Sequence, residues 1–264
     1  MSSQDASLEV RGGAARASGR PRLRRRLFAA GASVCLALLQ VGSAWGQVAI
    51  PTTRVVFPAA QKSVSVPIHN LGGFPVLVQS WISDGDPDQS PEASTAPFVL
   101  APPMVRLEPG QSKYIRVQQL AAQAPSDEVE HLYWLNVLAL APKQHHADQG
   151  QLELSVRSRY KLLFRPAGLS SRPVNQAVSV TWSVDRVDGA RVLVARNASA
   201  YVLNLGSVDI VSGRNRSALD NPHVLPHSTS SIVLPDDVDA SGAILEFTWI
   251  DDEGRLHPAR HLLP

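Results

Sequence analysis

Residues 151–166 are QLELSVRSRYKLLFRP. Leu152, Leu154, Val156, Tyr160, Leu162 and Phe164 share one parity. Glu153, Ser155, Arg157, Arg159, Lys161 and Arg165 hold the other, which only Leu163 breaks. Side chains of a strand alternate between the faces of a sheet, so this spacing predicts one strand with an apolar face and a cationic face. The strand would run 15 residues, Gln151 to Arg165, where ~5–6 is usual. Tyr160, Leu162 and Phe164 are expected in the core of their own sheet. Leu152, Leu154 and Val156 extend beyond it, and an exposed apolar edge is a liability unless a partner uses it.

The flanking sequence repeats the pattern. TRVVF (53–57), SVSVPIH (63–69), PVLVQSWI (75–82), SKYIRVQQL (112–120) and HLYWLNVLAL (131–140) precede the stretch. AVSVTWSV (177–184), ARVLVARN (190–197), AYVLNLGSVDI (200–210), SSIVLP (230–235) and AILEFTWI (243–250) follow it. Most are short, rich in Val, Ile, Leu and aromatics, and bounded by Gly, Pro, Asn or Asp, which is strand spacing. EPG (108–110) and VDGA (187–190) read as turns. DGDPDQSPEASTAP (84–97) reads as a solvated loop. The strands form two sets that meet near PAGLSSRP (166–173), which predicts an all-β chain of two β-sandwiches of about 100 residues each.

The start of the chain does not belong to this pattern. Residues 1–26 end in RPRLRRR, LFAAGASVCLALLQV follows, and GSAWGQ places Ala44 and Gly46 at the −3 and −1 positions of a cleavage site. Basic, apolar, small is the order of a secretory signal peptide, expected over residues 1–46. The apolar run is shorter than the ~20 residues of a membrane span, and an uncleaved anchor is the alternative. Arg25, Arg26, Leu27 and Phe28 carry the core of a twin-arginine signal, so both that route and the general secretory route stay open. The leader holds seven of the 25 basic residues and two of the 23 acidic ones, so the remainder carries a net charge of −3. That balance gives no basic footprint for nucleic acid. Cys35, the single cysteine, lies in the apolar run, so an exported form would rely on core burial and not on a disulfide.

No motif for catalysis emerges. There is no G-x-S-x-G, phosphate loop or H-E-x-x-H. His223/His227 and His257/His261 have i, i+4 spacing, but both pairs flank prolines in strand-rich sequence, where that spacing does not converge ligands. Binding is therefore the expected class, with no metal and no cofactor. Burial of Leu152, Leu154 and Val156 against a partner would contribute roughly 5–9 kcal/mol before association costs. Main-chain hydrogen bonds add only ~1 kcal/mol each and fix direction. A cation at the end of the strand would fix register through a carboxylate.

These segments, in this order behind a leader, resemble the periplasmic chaperones of the chaperone–usher pilus system. TRVVF (53–57), PVLVQSWI (75–82), APPMVRLEPGQSKYIRV (101–117), HLYWLNVLALAP (131–142) and LSVRSRYKLLFRP (154–166) carry the resemblance, and NASAYVLNL (197–205) looks like its second-domain counterpart. It implies two immunoglobulin-like β-sandwich domains in a boomerang arrangement, spanning residues 47–168 and 169–264. It implies donation of Leu152, Leu154 and Val156 to an incomplete pilus subunit, whose C-terminal carboxylate is held by Arg54 and Lys161. It implies an interdomain charge network of Arg106, Glu130 and Asp252, an exposed one that orients more than it stabilises. Partners would be pilus subunits and an outer-membrane usher, and the free protein could cap its own edge as a homodimer. The short segment PKQHHADQGQ (142–151) resembles the subfamily that assembles thick, rod-like pili. The missing second-domain disulfide is a departure from many members. A structural fimbrial subunit or adhesin on the same sandwich, and an exported enzyme with an unrecognised site, remain alternatives.

Overall fold

A computed structural model of the chain describes residues 48–140, 155–169, 173 and 178–264. The first domain contains β1 (Val48–Ala49), β2 (Arg54–Pro58), β3 (Ser63–Asn70), β4 (Val76–Ser83), β5 (Phe98–Ala101), β6 (Met104–Leu107), β7 (Ser112–Gln119), β8 (His131–Leu140) and β9 (Val156–Arg165). The second contains β10 (Val180–Val187), β11 (Ala190–Asn197), β12 (Leu203–Ser212), β13 (Asn215–Leu219), β14 (His223–Val224), β15 (Thr229–Val233), β16 (Ile244–Ile250) and β17 (Leu256–Leu262). Each domain has two sheets: β1-β3-β7-β5 against β2-β9-β8-β4-β6 in the first, and β10-β11-β15 against β13-β12-β16-β17, with β14 beside β12, in the second. These are two β-rich domains with a strand topology consistent with immunoglobulin-like sandwiches.

Alternation buries every second side chain on the inner faces. In the first core Phe57 meets Phe98 edge-on at 5.2 Å, and Phe98 meets Tyr133 in the same way. Phe164 and Leu162 lie among them, fully buried, and Tyr160 packs against the cluster. The second core gathers Trp182, Leu193, Leu205, Ile210, Leu245 and Phe247. The two-residue turn between β10 and β11 puts both Asp188 and Gly189 at positive φ, the twist that joins antiparallel strands without splaying them.

The expected alternation is clear along β7, β16 and β17 and fails along β9, as it does at the end of β4 and within β8. Burial there rises steadily from exposed Val156 and Arg157 to fully enclosed Leu162, Leu163, Phe164 and Arg165. The outward face is not solvent at its C-terminal end, because Arg165 is bonded to the second domain. The 84–97 segment is largely exposed, as expected of a solvated loop, but its first half is tethered. Arg157 donates to the Pro87 carbonyl, and Arg159 donates to the Gly85 carbonyl at 3.2 Å. Trp81 Nε1 donates to the Gln89 carbonyl from below, also at 3.2 Å.

Candidate functional site

β9 is the strand that organises the site. On one edge it pairs antiparallel with β8 along its whole length, from Val156 opposite Ala139 to Phe164 opposite His131. On the other edge β2 runs parallel to it, but only from Arg54 opposite Lys161 to Pro58 opposite Arg165. Val156–Tyr160 therefore has no strand on that edge among the described residues. Val156 is 50 % exposed. Leu152 and Leu154 lie outside the described residues.

The open edge begins where β2 starts. Register partners in neighbouring strands share a face and lie on strands about 4.8 Å apart, so Arg54 and Lys161 stand side by side at that point. A turn made by Thr52, whose hydroxyl accepts from the Arg54 N–H at 3.3 Å, leads the chain into β2. Arg54 is buried, and its Nη1 donates to the Ile250 carbonyl of the second domain at 3.1 Å. Its Nε is buried without a hydrogen-bond partner among the described residues. Lys161 Nζ donates to Asn204 Oδ1 of β12 at 2.7 Å and lies 5.9 Å from the Trp134 ring centroid. Burial lowers the Arg54 pKa, partly offset by the charges of Asp252, Asp251 and Glu130. Burial, and then the charge of Arg54, pushes Lys161 down to about 8. Two partly desolvated cations without an anion between them repel, and a carboxylate placed there would relieve both.

Farther along the same face the charges are closed. Arg165 Nη2 lies 2.7 Å from Glu130, and Nη1 and Nη2 donate to the two oxygens of Asp252 at 2.8 and 2.9 Å. Glu130 also accepts from the Val202 N–H at 2.9 Å, and the Arg165 guanidinium lies over the Tyr201 ring. Burial opposes the Arg165 charge, but the hydrogen bonds to Asp252 and the Glu130 charge outweigh it and raise its pKa. Glu130 and Asp252 are thus joined to each other through Arg165. Arg106 is not part of that group: it stands on edge strand β6, two-thirds exposed, with its Nε donating to Glu108 at 2.8 Å. Arg106 is on a strand whose outward side chains face solvent, whereas Arg165 closes the junction. The network is also buried, not exposed: desolvation raises the Glu130 pKa against the attraction of Arg165, and removing one partner would leave a buried charge uncompensated. Sequence reading recorded Arg165 only as the last cation of a strand, and missed Asn204 and the Ile250 carbonyl. Parity did place Arg165 on the outward face with Lys161, but nothing local to either residue signals a partner from another domain.

The remaining cations of β9 have a third role. Arg157 and Arg159 lie 6.0 and 4.5 Å from the ring centroids of Trp81 and Trp134 and tether the 84–89 loop. So the cationic parity divides into a loop tether, an unneutralised cleft cation and a buried ion pair. Among the described residues no group of three or more His, Cys, Asp or Glu side chains is placed to hold a metal ion.

Comparison with known proteins follows the same outline. Residues 47–170 match the N-terminal domain of the PapD pili and flagellar-assembly chaperones, and residues 175–261 match the C-terminal domain of the PapD pili assembly chaperones. The chain is 34 % identical to the chaperone protein FimB/FhaD of Bordetella pertussis over 90 % of its length and 96 % of that protein's. It is 32 % identical to the probable fimbrial chaperone YadV of Escherichia coli K12 over 70 % of its length and 77 % of that protein's. Its structure matches a chain of the Salmonella enterica SafA pilin–SafB chaperone complex with a TM-score of 0.69 at 27 % identity, covering 84 % of this chain and 99 % of the other. With both domain matches in place over strands that bring Arg54 and Lys161 together, the chain belongs to the PapD family of periplasmic pilus-assembly chaperones of the chaperone–usher pathway.

Proposed function

We propose that the exposed edge of β9 completes the sheet of a pilus subunit while Arg54 and Lys161 hold the subunit's terminal carboxylate. The observation that carries this reading is the one-sided pairing of Val156–Tyr160, ending at two unneutralised cations. It also sets direction. A guest strand lying against Val156–Tyr160 with its carboxyl end at Lys161 must run parallel to β9, in line with β2. Val156 would enter the guest's core, with Leu152 and Leu154 continuing the same parity. Each added aliphatic contributes roughly 1.5–3 kcal/mol, and the charge-assisted bonds contribute ~1.5–3 kcal/mol and select one register. A slip by one residue would turn the apolar set away. The protein would hold the subunit without ATP or cofactor and pass it to an outer-membrane usher. The Glu130–Arg165–Asp252 group would hold the two domains in a boomerang, after a leader of residues 1–46 is removed. In the absence of a subunit the same edge would accept a second copy of the chain.

The test is co-expression with a pilus subunit from the same organism, followed by recovery of the complex from periplasm. Lys161→Ala and Arg54→Ala are expected to leave the fold intact by circular dichroism and to lower recovery at least tenfold. Undiminished recovery with both variants would overturn the anchor.

A further inference from the structure

Three cations, Arg54, Lys161 and Arg165, reach from one face of the first domain to the second, and each is met by different chemistry. Arg165 is neutralised by Glu130 and Asp252. Arg54 meets a main-chain carbonyl, that of Ile250. Lys161 meets a side-chain amide, Asn204, at 2.7 Å. Asn204 is 2 % exposed, and its Nδ2 donates to the Val202 carbonyl at 3.1 Å. With the donor end of the amide committed to that carbonyl, the oxygen end is the one turned to Lys161. Main-chain pairing of Leu203 and Asn204 with β14 holds the residue from behind.

We infer that Asn204 is a positioning residue of the anchor: its amide oxygen aims Lys161 without neutralising it, so that the Arg54–Lys161 pair keeps its charge for an incoming carboxylate. The inference rests on the anchor reading above and adds what the second domain supplies to it. An ammonium held by one neutral acceptor can exchange that bond for, or add to it, a bond to an anion. An ammonium already paired with a carboxylate cannot do so without breaking an ion pair, which is the situation of Arg165. An apolar side chain at 204 would instead leave Lys161 unheld in the cleft. The neighbouring titratable groups agree with this division. Arg54 on β2 adds positive charge, and His223, the register partner of Asn204, is kept toward its neutral form by burial and by the charge of Lys161. No anion among the described residues lies within ion-pair distance of Lys161.

The discriminating variants are Asn204→Asp, nearly the same shape but charged, and Asn204→Thr, neutral with one oxygen. The probe is a dodecapeptide of alternating valine and threonine, compared as free acid and as C-terminal amide in a competition binding assay. The wild-type chain is expected to bind the acid about tenfold or more tighter than the amide. Asn204→Asp should erase that preference and raise the titration point of Lys161 measured by nitrogen NMR; because a carboxylate cannot donate to the Val202 carbonyl, the melting temperature is expected to fall, and binding is read on the folded fraction. Asn204→Thr should retain most of the preference. A purely structural Asn204 would give the opposite result, with Asn204→Asp keeping the preference, and that result overturns the inference while leaving the anchor standing. Equal loss in Asn204→Thr and Asn204→Asp would also overturn it, since neutrality would then not be what matters. No preference in the wild-type chain, with Lys161→Ala binding unchanged, would overturn the anchor and this inference together.

Discussion

The two halves of β9 are made of the same alternating sequence and live in different surroundings. From Lys161 to Phe164 the strand is paired on both edges, and its last four residues, Leu162–Arg165, are buried. From Val156 to Tyr160 it is paired on one edge among the described residues, and Val156 is half exposed. One strand can thus both brace its own sheet and offer an edge, provided the two duties are separated along its length. The junction is the Arg54–Lys161 pair, where β2 ends its cover. Arg165 in the closed half is paired with carboxylates, whereas Arg54 and Lys161 at the junction make no ion pair among the described residues.

The largest expected effect breaks the closed half. Arg165→Ala leaves Glu130 buried without its partner, and losing one member of a buried ion pair destabilises by about 3–5 kcal/mol. Denaturant unfolding would register this as a lower midpoint, and a shift under about 1 kcal/mol would show that the junction depends little on these charges. A mid-sized effect sharpens the contrast at Lys161. In the free protein Lys161 loses its proton near pH 8, while the unfolded chain keeps it to about 10.5. The unfolded state then binds more protons between those values, so the free protein gains stability as pH rises through that window. Subunit binding moves the other way. Below about pH 8 Lys161 is charged with or without a guest, and affinity is flat. Above it, binding must take up a proton, and affinity falls by up to about tenfold per pH unit. Titration of binding between pH 7 and 10 checks the sign, and a flat profile would remove Lys161 from the anchor. The smallest effect on stability belongs to the open half. Val156→Ser should change unfolding by no more than about 0.5 kcal/mol, yet weaken subunit retention by about tenfold. A large loss of stability would mean that Val156 belongs to its own core.

How far the sequence could be read is visible in particular residues. Leu162 and Phe164 were legible as core because period-2 alternation is a local property, and they are fully buried. The Asp188–Gly189 turn was legible because only a few residue types accept positive φ. Arg54 and Lys161 were placed through resemblance, and the parallel register of β2 and β9 brings them together. Arg106 illustrates the limit. It matched a family position, but pairs locally with Glu108, and Arg165 takes the place expected of it. Asn204 was invisible for the same reason, since its partner stands 43 positions away in another domain.

Alternation and turn residues are written within windows of a few residues, so the sequence alone determined an all-β chain of two domains. Which cation is quenched, which is left charged and which ties a loop depended on partners brought from distant strands. Those partnerships exist only once the two sandwiches are folded and β2 covers half of β9, because burial and hydrogen bonding are set by what surrounds a side chain and not by its neighbours in the chain.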